Sequence, residues 1–186
     1  ELNIDLHESI KLTMAKEAMG SPHLMQEFCR EFCIKNRIEK KAKRLLTIDK
    51  NINLMPIFTE IAKNSGRSLF EKLARGPRQR SDRIQRTLTD GTTADIYGVV
   101  MEALRHMKPG VNSIKYEDFR IYLREVIEDI PQMHEVSRVL EKIADISYND
   151  GASTPVIDWD KDDAILTITD PFFAFYLRWS DNREQL

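Results

Sequence analysis

Val156-Ile157-Asp158-Trp159-Asp160-Lys161-Asp162-Asp163-Ala164-Ile165-Leu166-Thr167-Ile168-Thr169-Asp170-Pro171-Phe172-Phe173-Ala174-Phe175-Tyr176-Leu177-Arg178-Trp179 combines two strand patterns with a capped aromatic helix. Val156–Trp159 and Ala164–Ile168 are rich in β-branched and aromatic residues with partial alternation, the pattern of half-buried strands. Lys161-Asp162-Asp163 joins them as a hairpin. Asp170 then offers a carboxylate cap, and Pro171 a helical residue with no N–H to satisfy, so a helix follows over Phe172–Trp179. Its Phe172, Phe175, Tyr176 and Trp179 recur at i, i+3, i+4 and i+7, a spacing that docks one face onto a core.

Working backwards, Ile96, Val99, Val100, Ala103, Leu104 and Met107 keep helical period after a cap at Thr92 or Thr93. Lys108-Pro109-Gly110 closes that helix. A short extended piece at Asn112–Lys115 leads into a helix over Tyr116–Glu128, and Pro131 opens a third running to about Ile146. A polar loop, Tyr148–Thr154, reaches the hairpin. Helix, strand, helix, helix, strand, turn, strand is the order of a winged helix-turn-helix domain.

The first half reads as helices alone. Asp5 or His7 to Ala18 places Leu6, Ile10, Met14 and Ala18 on one face. Gly20-Ser21-Pro22 stops this helix and caps the next, which runs to about Asn36 with Leu24, Met25, Phe28, Cys29, Phe32 and Cys33 in one broad stripe. Two shorter helices follow over Pro56–Asn64 and Arg67–Arg75, and Gly76-Pro77 ends the second. The expected class is therefore mainly α: a helical bundle with a basic connector in residues 1–90, then a winged-helix domain with a small β-hairpin wing in residues 91–186.

Charge divides at the same place. The chain has 186 residues and a net charge of −2. Residues 1–90 carry 18 Lys and Arg against 12 Asp and Glu, giving +6, whereas residues 91–186 carry 10 against 18, giving −8. Hydrophobic residues make up 41% and charged residues 31%, a globular composition. No apolar run approaches the ~18 residues of a membrane span, and no leader resembles a signal peptide. Two cysteines four residues apart cannot frame a secreted disulfide scaffold, so a cytoplasmic setting and no membrane partner are expected.

Catalytic signatures are missing from the sequence: it holds no G-x-x-x-x-G-K-[ST], no G-x-G-x-x-G and no G-x-S-x-G. His7, His23, His106 and His134 are scattered, and none has a metal-type neighbour. Cys29 and Cys33 could share a metal at i, i+4, but flanked by Phe28 and Phe32 they read as small core hydrophobes. No catalytic residue and no metal ligand is expected.

Two segments carry a resemblance. Ala15-Lys16-Glu17-Ala18-Met19-Gly20-Ser21-Pro22-His23-Leu24-Met25-Gln26-Glu27-Phe28-Cys29 resembles the G-x-P turn in the helical lid of AAA+ and related STAND-type ATPases. Leu166–Trp179 resembles the D-P-F segment that closes the winged-helix region of prokaryotic, especially archaeal-type, members of that group. The resemblance implies the C-terminal part of an ATP-binding ATPase, whose N-terminal nucleotide-binding domain, with ATP and Mg, precedes the lid and is missing from this chain. It further implies that these residues alone do not hydrolyse ATP, and that they couple nucleotide state to domain arrangement and to contacts with neighbouring subunits or a protein client. His23 stands where many AAA+ proteins carry the arginine that senses the γ-phosphate. A histidine there can donate to phosphate, aided by the helix N-terminus.

The connector Arg75-Gly76-Pro77-Arg78-Gln79-Arg80-Ser81-Asp82-Arg83-Ile84-Gln85-Arg86 holds five arginines. The planar forks of Arg75, Arg78, Arg80, Arg83 and Arg86 suit phosphate, on nucleic acid or on a nucleotide. With the run Lys35–Arg44 they outline a second function, a nucleic-acid-binding module using the basic face of residues 35–86. Pairing with the acidic second half, or plain solvation, is favoured over it. The expected recognition helix, Gln132–Ile146, carries Glu135, Glu141 and Asp145, and the wing carries Asp158, Asp160, Asp162 and Asp163, all of which DNA repels. A third reading is a stand-alone protein-interaction adaptor.

Overall fold

Four helices begin on a side chain that accepts from their first backbone N–H groups, and these caps locate the elements. The computed structural model describes residues 2–49, 52–77, 83–148 and 155–180. His7 Nδ1 accepts from Ser9 N at 3.2 Å and starts α1, Glu8–Glu17; Ser21 Oγ accepts from Leu24 N at 3.2 Å and starts α2, Pro22–Lys35. Ahead of α1 lies β1, Ile4–Leu6, which pairs in parallel with β2, Leu46–Ile48, in the register Ile4↔Leu46 and Leu6↔Ile48. Neither three-residue strand has length enough to show a period. Both exist because Leu46 N donates to Asn3 O and His7 N to Ile48 O, bonds between segments about forty residues apart. Of the two expected starts, Asp5 falls in β1 and His7 is the N-cap of the helix. Helices α3, Met55–Ser65, and α4, Arg67–Arg75, complete the first half.

The connector leads into a small antiparallel hairpin, β3 at Arg86–Thr87 and β4 at Thr93–Ala94. Thr92 does not cap a helix. Its N–H and hydroxyl both donate to Asp90 Oδ1, closing a turn in which Gly91 takes φ +83°. The cap is Asp95, whose Oδ1 accepts from Tyr97 N and Gly98 N to begin α5, Ile96–Met107. Then come β5, Ser113–Lys115, α6, Tyr116–Val126, α7, Met133–Tyr148, β6, Ile157–Asp160, β7, Ile165–Ile168, and α8, Pro171–Trp179. Strand β7 is central, antiparallel to β5 through Ile114↔Leu166 and to β6 through Trp159↔Leu166. Of the expected loop Tyr148–Thr154, Tyr148 belongs to α7 and residues 149–154 lie outside the described residues.

The chain is thus mainly helical with three small sheets among the described residues. No helix among them is long and apolar enough to cross a membrane. The buried apolar cluster draws on both sides of residue 90, joined by α4 against α5 and by α8. Asp170 Oδ1 accepts from Phe173 N at 2.7 Å, and the helix it starts lies against α3 and α5. Phe175 packs 5.0 Å from Phe28 and 5.6 Å from Phe58 between ring centroids, and Trp179 lies 4.8 Å from Phe58. Tyr176 faces Phe70 at 5.5 Å. Each such pair adds about 0.5–1.5 kcal/mol beyond area burial. At the α3–α4 joint Gly66 admits Tyr176 so closely that an added Cβ would stand 2.3 Å from the Tyr176 Cβ.

Candidate functional site

Three features bear on function: the start of α2, the arginine connector, and the clasp that holds α8 to α1. The first presents His23, exposed, at the second position of α2 behind Pro22. No hydrogen bond or ion pair among the described residues joins it to the connector arginines.

The connector is fastened inside the molecule. Arg83 Nη1 donates to Asp95 Oδ2 at 2.7 Å and to Arg75 O at 2.8 Å, and its guanidinium lies 4.6 Å from the centroid of the Tyr97 ring. Both partners of the ion pair are about 15% exposed at the side chain, with Arg83 at 14% and Asp95 at 16%. One carboxylate thus caps α5 with one oxygen and holds the connector with the other. The Tyr97 ring also covers Gly76, whose φ of +71° ends α4. Arg86 Nη2 donates to Glu135 Oε1 at 3.2 Å, while Glu135 Oε2 accepts from Gln132 N at 2.9 Å where α7 begins. Thr89 ties the hairpin to the end of α6 through bonds to Val126 O and Glu125 O. Arg75 is exposed, and Arg78 and Arg80 lie outside the described residues. Of the five candidate arginines, Arg83 and Arg86 are therefore committed to carboxylates of the acidic half. The charge asymmetry of the sequence pointed to this pairing; which acids would be used was not readable, because Asp95 and Glu135 are brought in by the folding of α5 and α7.

The clasp joins opposite ends of the chain. Arg178 Nη1 donates to both oxygens of Glu17, at 3.0 and 3.2 Å, and Trp179 Nε1 donates to Glu17 Oε2 at 2.8 Å. Arg178 Nη2 reaches Lys108 O and Pro109 O just after α5. The Glu17 side chain is 9% exposed and that of Arg178 23%. Arg178 thus braces the final helix through a carboxylate, and one guanidinium holds α8, α1 and the end of α5 together. Glu17 itself carried no signal in the sequence.

Cys29 and Cys33 correct an expectation. The core stripe of α2 is narrow, made by Leu24, Phe28 and Phe32 at i, i+4 and i+8. The thiols are rotated off it: Cys29 is exposed, Cys33 is half-buried, and both line an apolar groove against β1. Although the residue as a whole is exposed, partial burial of its thiol against that wall, and secondarily the nearby Cys33, push the Cys29 thiol above its ordinary pKa. A raised pKa means less thiolate at a given pH. At pH 8, alkylation of Cys29 by iodoacetamide is therefore expected to be slower in the folded chain than in urea, with the gap closing as pH rises past the folded pKa. Equal rates at pH 8, followed by peptide mass spectrometry, would contradict this.

No group of three or more His, Cys, Asp or Glu residues able to hold a metal is found among the described residues. Comparison with protein-family models, curated proteins and solved structures finds no match to this chain.

Proposed function

We propose that the chain is the lid and winged-helix region of an AAA+ or STAND-type ATPase, and that it converts nucleotide state into domain arrangement and protein contact. The reading rests on the resemblance of the two segments quoted above. The observation that best supports it is that those segments meet: Glu17, just before the Gly20-Ser21-Pro22 turn, holds Arg178 and Trp179 of the closing helix. A displacement of α1 at Glu17 is then passed to α8 and, through Lys108 and Pro109, to the end of α5.

The order α5, β5, α6, α7, β6, β7, with β7 between β5 and β6, supports the winged-helix reading. Its wing does not suit DNA. Lys161, the one cation of the turn, is drawn to Glu141 of α7 at 3.0 Å, which leaves Asp158, Asp160, Asp162 and Asp163 to face a partner. The module accordingly serves protein contact.

ATP and Mg belong to the nucleotide-binding domain of the complete protein. What this chain can add is limited: His23 stands exposed on the first turn of a fourteen-residue helix, a fit for one phosphate oxygen and no more. In the complete protein, His23→Ala is expected to weaken ATP binding about tenfold, the worth of a hydrogen bond to a charged group. Unchanged ATP affinity by titration calorimetry would remove His23 from the site, and a parent sequence with no phosphate loop would remove the ATPase reading altogether.

The nucleic-acid alternative keeps Lys35, Arg37, Lys40, Lys41, Lys43 and Arg44, all exposed, but loses Arg83 and Arg86 to internal carboxylates.

A further inference from the structure

A groove opens between β1 and the second half of α2. One cavity of about 470 Å³ is walled by Leu2, Ile4, Leu6, Phe32 and Leu45. A second, of about 640 Å³, continues it past Leu2, Cys29 and Cys33 to Ile34 and Ile38. Apolar side chains stand open to solvent here: Leu45 is 67% exposed and Ile34 56%. The adjoining run Lys35–Arg44 supplies six exposed cations against the single acid Glu39, and none of the six enters an ion pair among the described residues. Exposed apolar surface of this kind, rimmed by one sign of charge, marks an interaction site for an apolar group carried among opposite charges.

The same chain presents such a group on its acidic half. On α6, Glu117, Ile121 and Glu125 follow one another at i, i+4 and i+8 along the outward face, all exposed, with Asp118 beside them and Arg120 and Arg124 on the flank; Glu128 and Asp129 are exposed just beyond the helix end. Ile121 is 53% exposed in the middle of that stripe. The Glu125 carboxylate lies 3.9 Å from His106 Nδ1. We propose that the groove of one copy takes the Ile121 face of α6 from a second copy. Ile121 enters between Leu45 and the Cys29–Cys33 edge, and the flanking glutamates meet the Lys35–Arg44 rim.

Three observations select a second copy as the occupant. The rim Lys35–Arg44 carries six cations and one acid, and the α6 face carries Glu117, Asp118 and Glu125 around Ile121, so charge and apolar character are complementary between the two surfaces. A net charge of −2 sets almost no general repulsion between copies. The surfaces also lie on different elements, β1–α2 and α6, so a copy whose α6 is bound keeps its groove open. The contact is heterologous and extends head to tail. It names a subunit surface for the function proposed above but takes its evidence from groove and helix alone.

The test is sedimentation equilibrium of the full chain without nucleotide, at about 50 and 500 mM salt, where screening lengths differ about threefold. The weight-average mass is expected to exceed that of the monomer at low salt and to fall back at high salt. Ile121→Glu, and Lys40→Glu with Lys41→Glu, are each expected to lower the association constant by about tenfold or more. Each variant retains the surface the other lacks, so an equimolar mixture is expected to restore association and to stop at the dimer. Cys29 should become protected from maleimide in that mixture. A wild-type chain monomeric at low salt, as would follow if another acidic protein segment or a fatty acid were the natural occupant, overturns the proposal. So does association indifferent to both variants, or a mixture that stays monomeric while circular dichroism shows both folded. None of these results bears on ATP binding by the complete protein, which has its own test.

Discussion

Gly66→Ala is expected to be among the most damaging substitutions in the chain, lowering the melting temperature by about 6–12 °C. The cause is steric alone. Gly66 has φ −132°, a value any residue adopts, so no backbone strain is added. The new Cβ, however, would lie 2.3 Å from the Tyr176 Cβ and 2.5 Å from Cγ, the root of a side chain fixed on α8 rather than a movable tip. Either α8 moves off α3, opening the Phe28–Phe58–Phe175 contacts, or the α3–α4 joint bends. Overpacking of this order costs about 3 kcal/mol, and a chain of this size loses about 2–4 °C per kcal/mol. Tyr176→Phe leaves the clashing atoms in place and is expected not to rescue the variant. Gly20→Ala is the comparison: nothing lies within 4 Å of its Cβ, but φ is +77°, so a loss of only about 1 kcal/mol is expected from conformation. Calorimetric melting temperatures that rank Gly20→Ala below Gly66→Ala would contradict the packing described.

Glu17→Leu is expected to cost about 2–4 kcal/mol by urea denaturation. The carboxylate is nearly buried and accepts from Arg178 twice and from Trp179 once, so its removal strands a half-desolvated guanidinium and an indole N–H together. The figure sits below the full range for a buried pair because Arg178 is 23% exposed and keeps its bonds to Lys108 O and Pro109 O. Glu17→Gln keeps an acceptor for Trp179 and is expected to lose about half as much. In a double-mutant cycle with Arg178→Met the two changes should be strongly non-additive, with coupling above about 1 kcal/mol. Additive losses would mean that the pair contributes no more than a surface salt bridge.

The closing segment was the most legible part of the sequence. Its two strands, the Asp170 cap and the aromatic helix all rest on local signals, namely β-branching, a carboxylate before proline, and i, i+3, i+4 spacing. The Ser21-Pro22 start of α2 and the bounds of α4 were readable for the same reason. Elements defined by a distant partner were not. Strands β1 and β2 span three residues each and owe their form to one another, and neither Thr92 nor Thr93 is the cap because they fall in the turn and strand ahead of Asp95, where α5 starts. The candidate site divides in the same way. Arg83 and Arg86 were visible as charge, while their carboxylates, and Glu17 beneath Arg178, became significant only when helices far apart in sequence packed together. The cysteines misled because Phe28 and Phe32 on either side suggested a broad stripe, whereas the core takes only every fourth residue of α2 from Leu24.

The clasp has a consequence for how the chain is made. Glu17 and Arg178 are 161 positions apart, and Phe28 and Phe58 complete their packing only against Phe175. As the polypeptide leaves the ribosome, the helices of the first half emerge with their aromatic face uncovered until Phe175 has followed. Closure of so long a loop is slow, and the uncovered face is open to aggregation or to a chaperone until α8 arrives. Helix α8 thus also times the closing of the core: a stop codon just before Pro171 is expected to leave a long-lived, sticky intermediate.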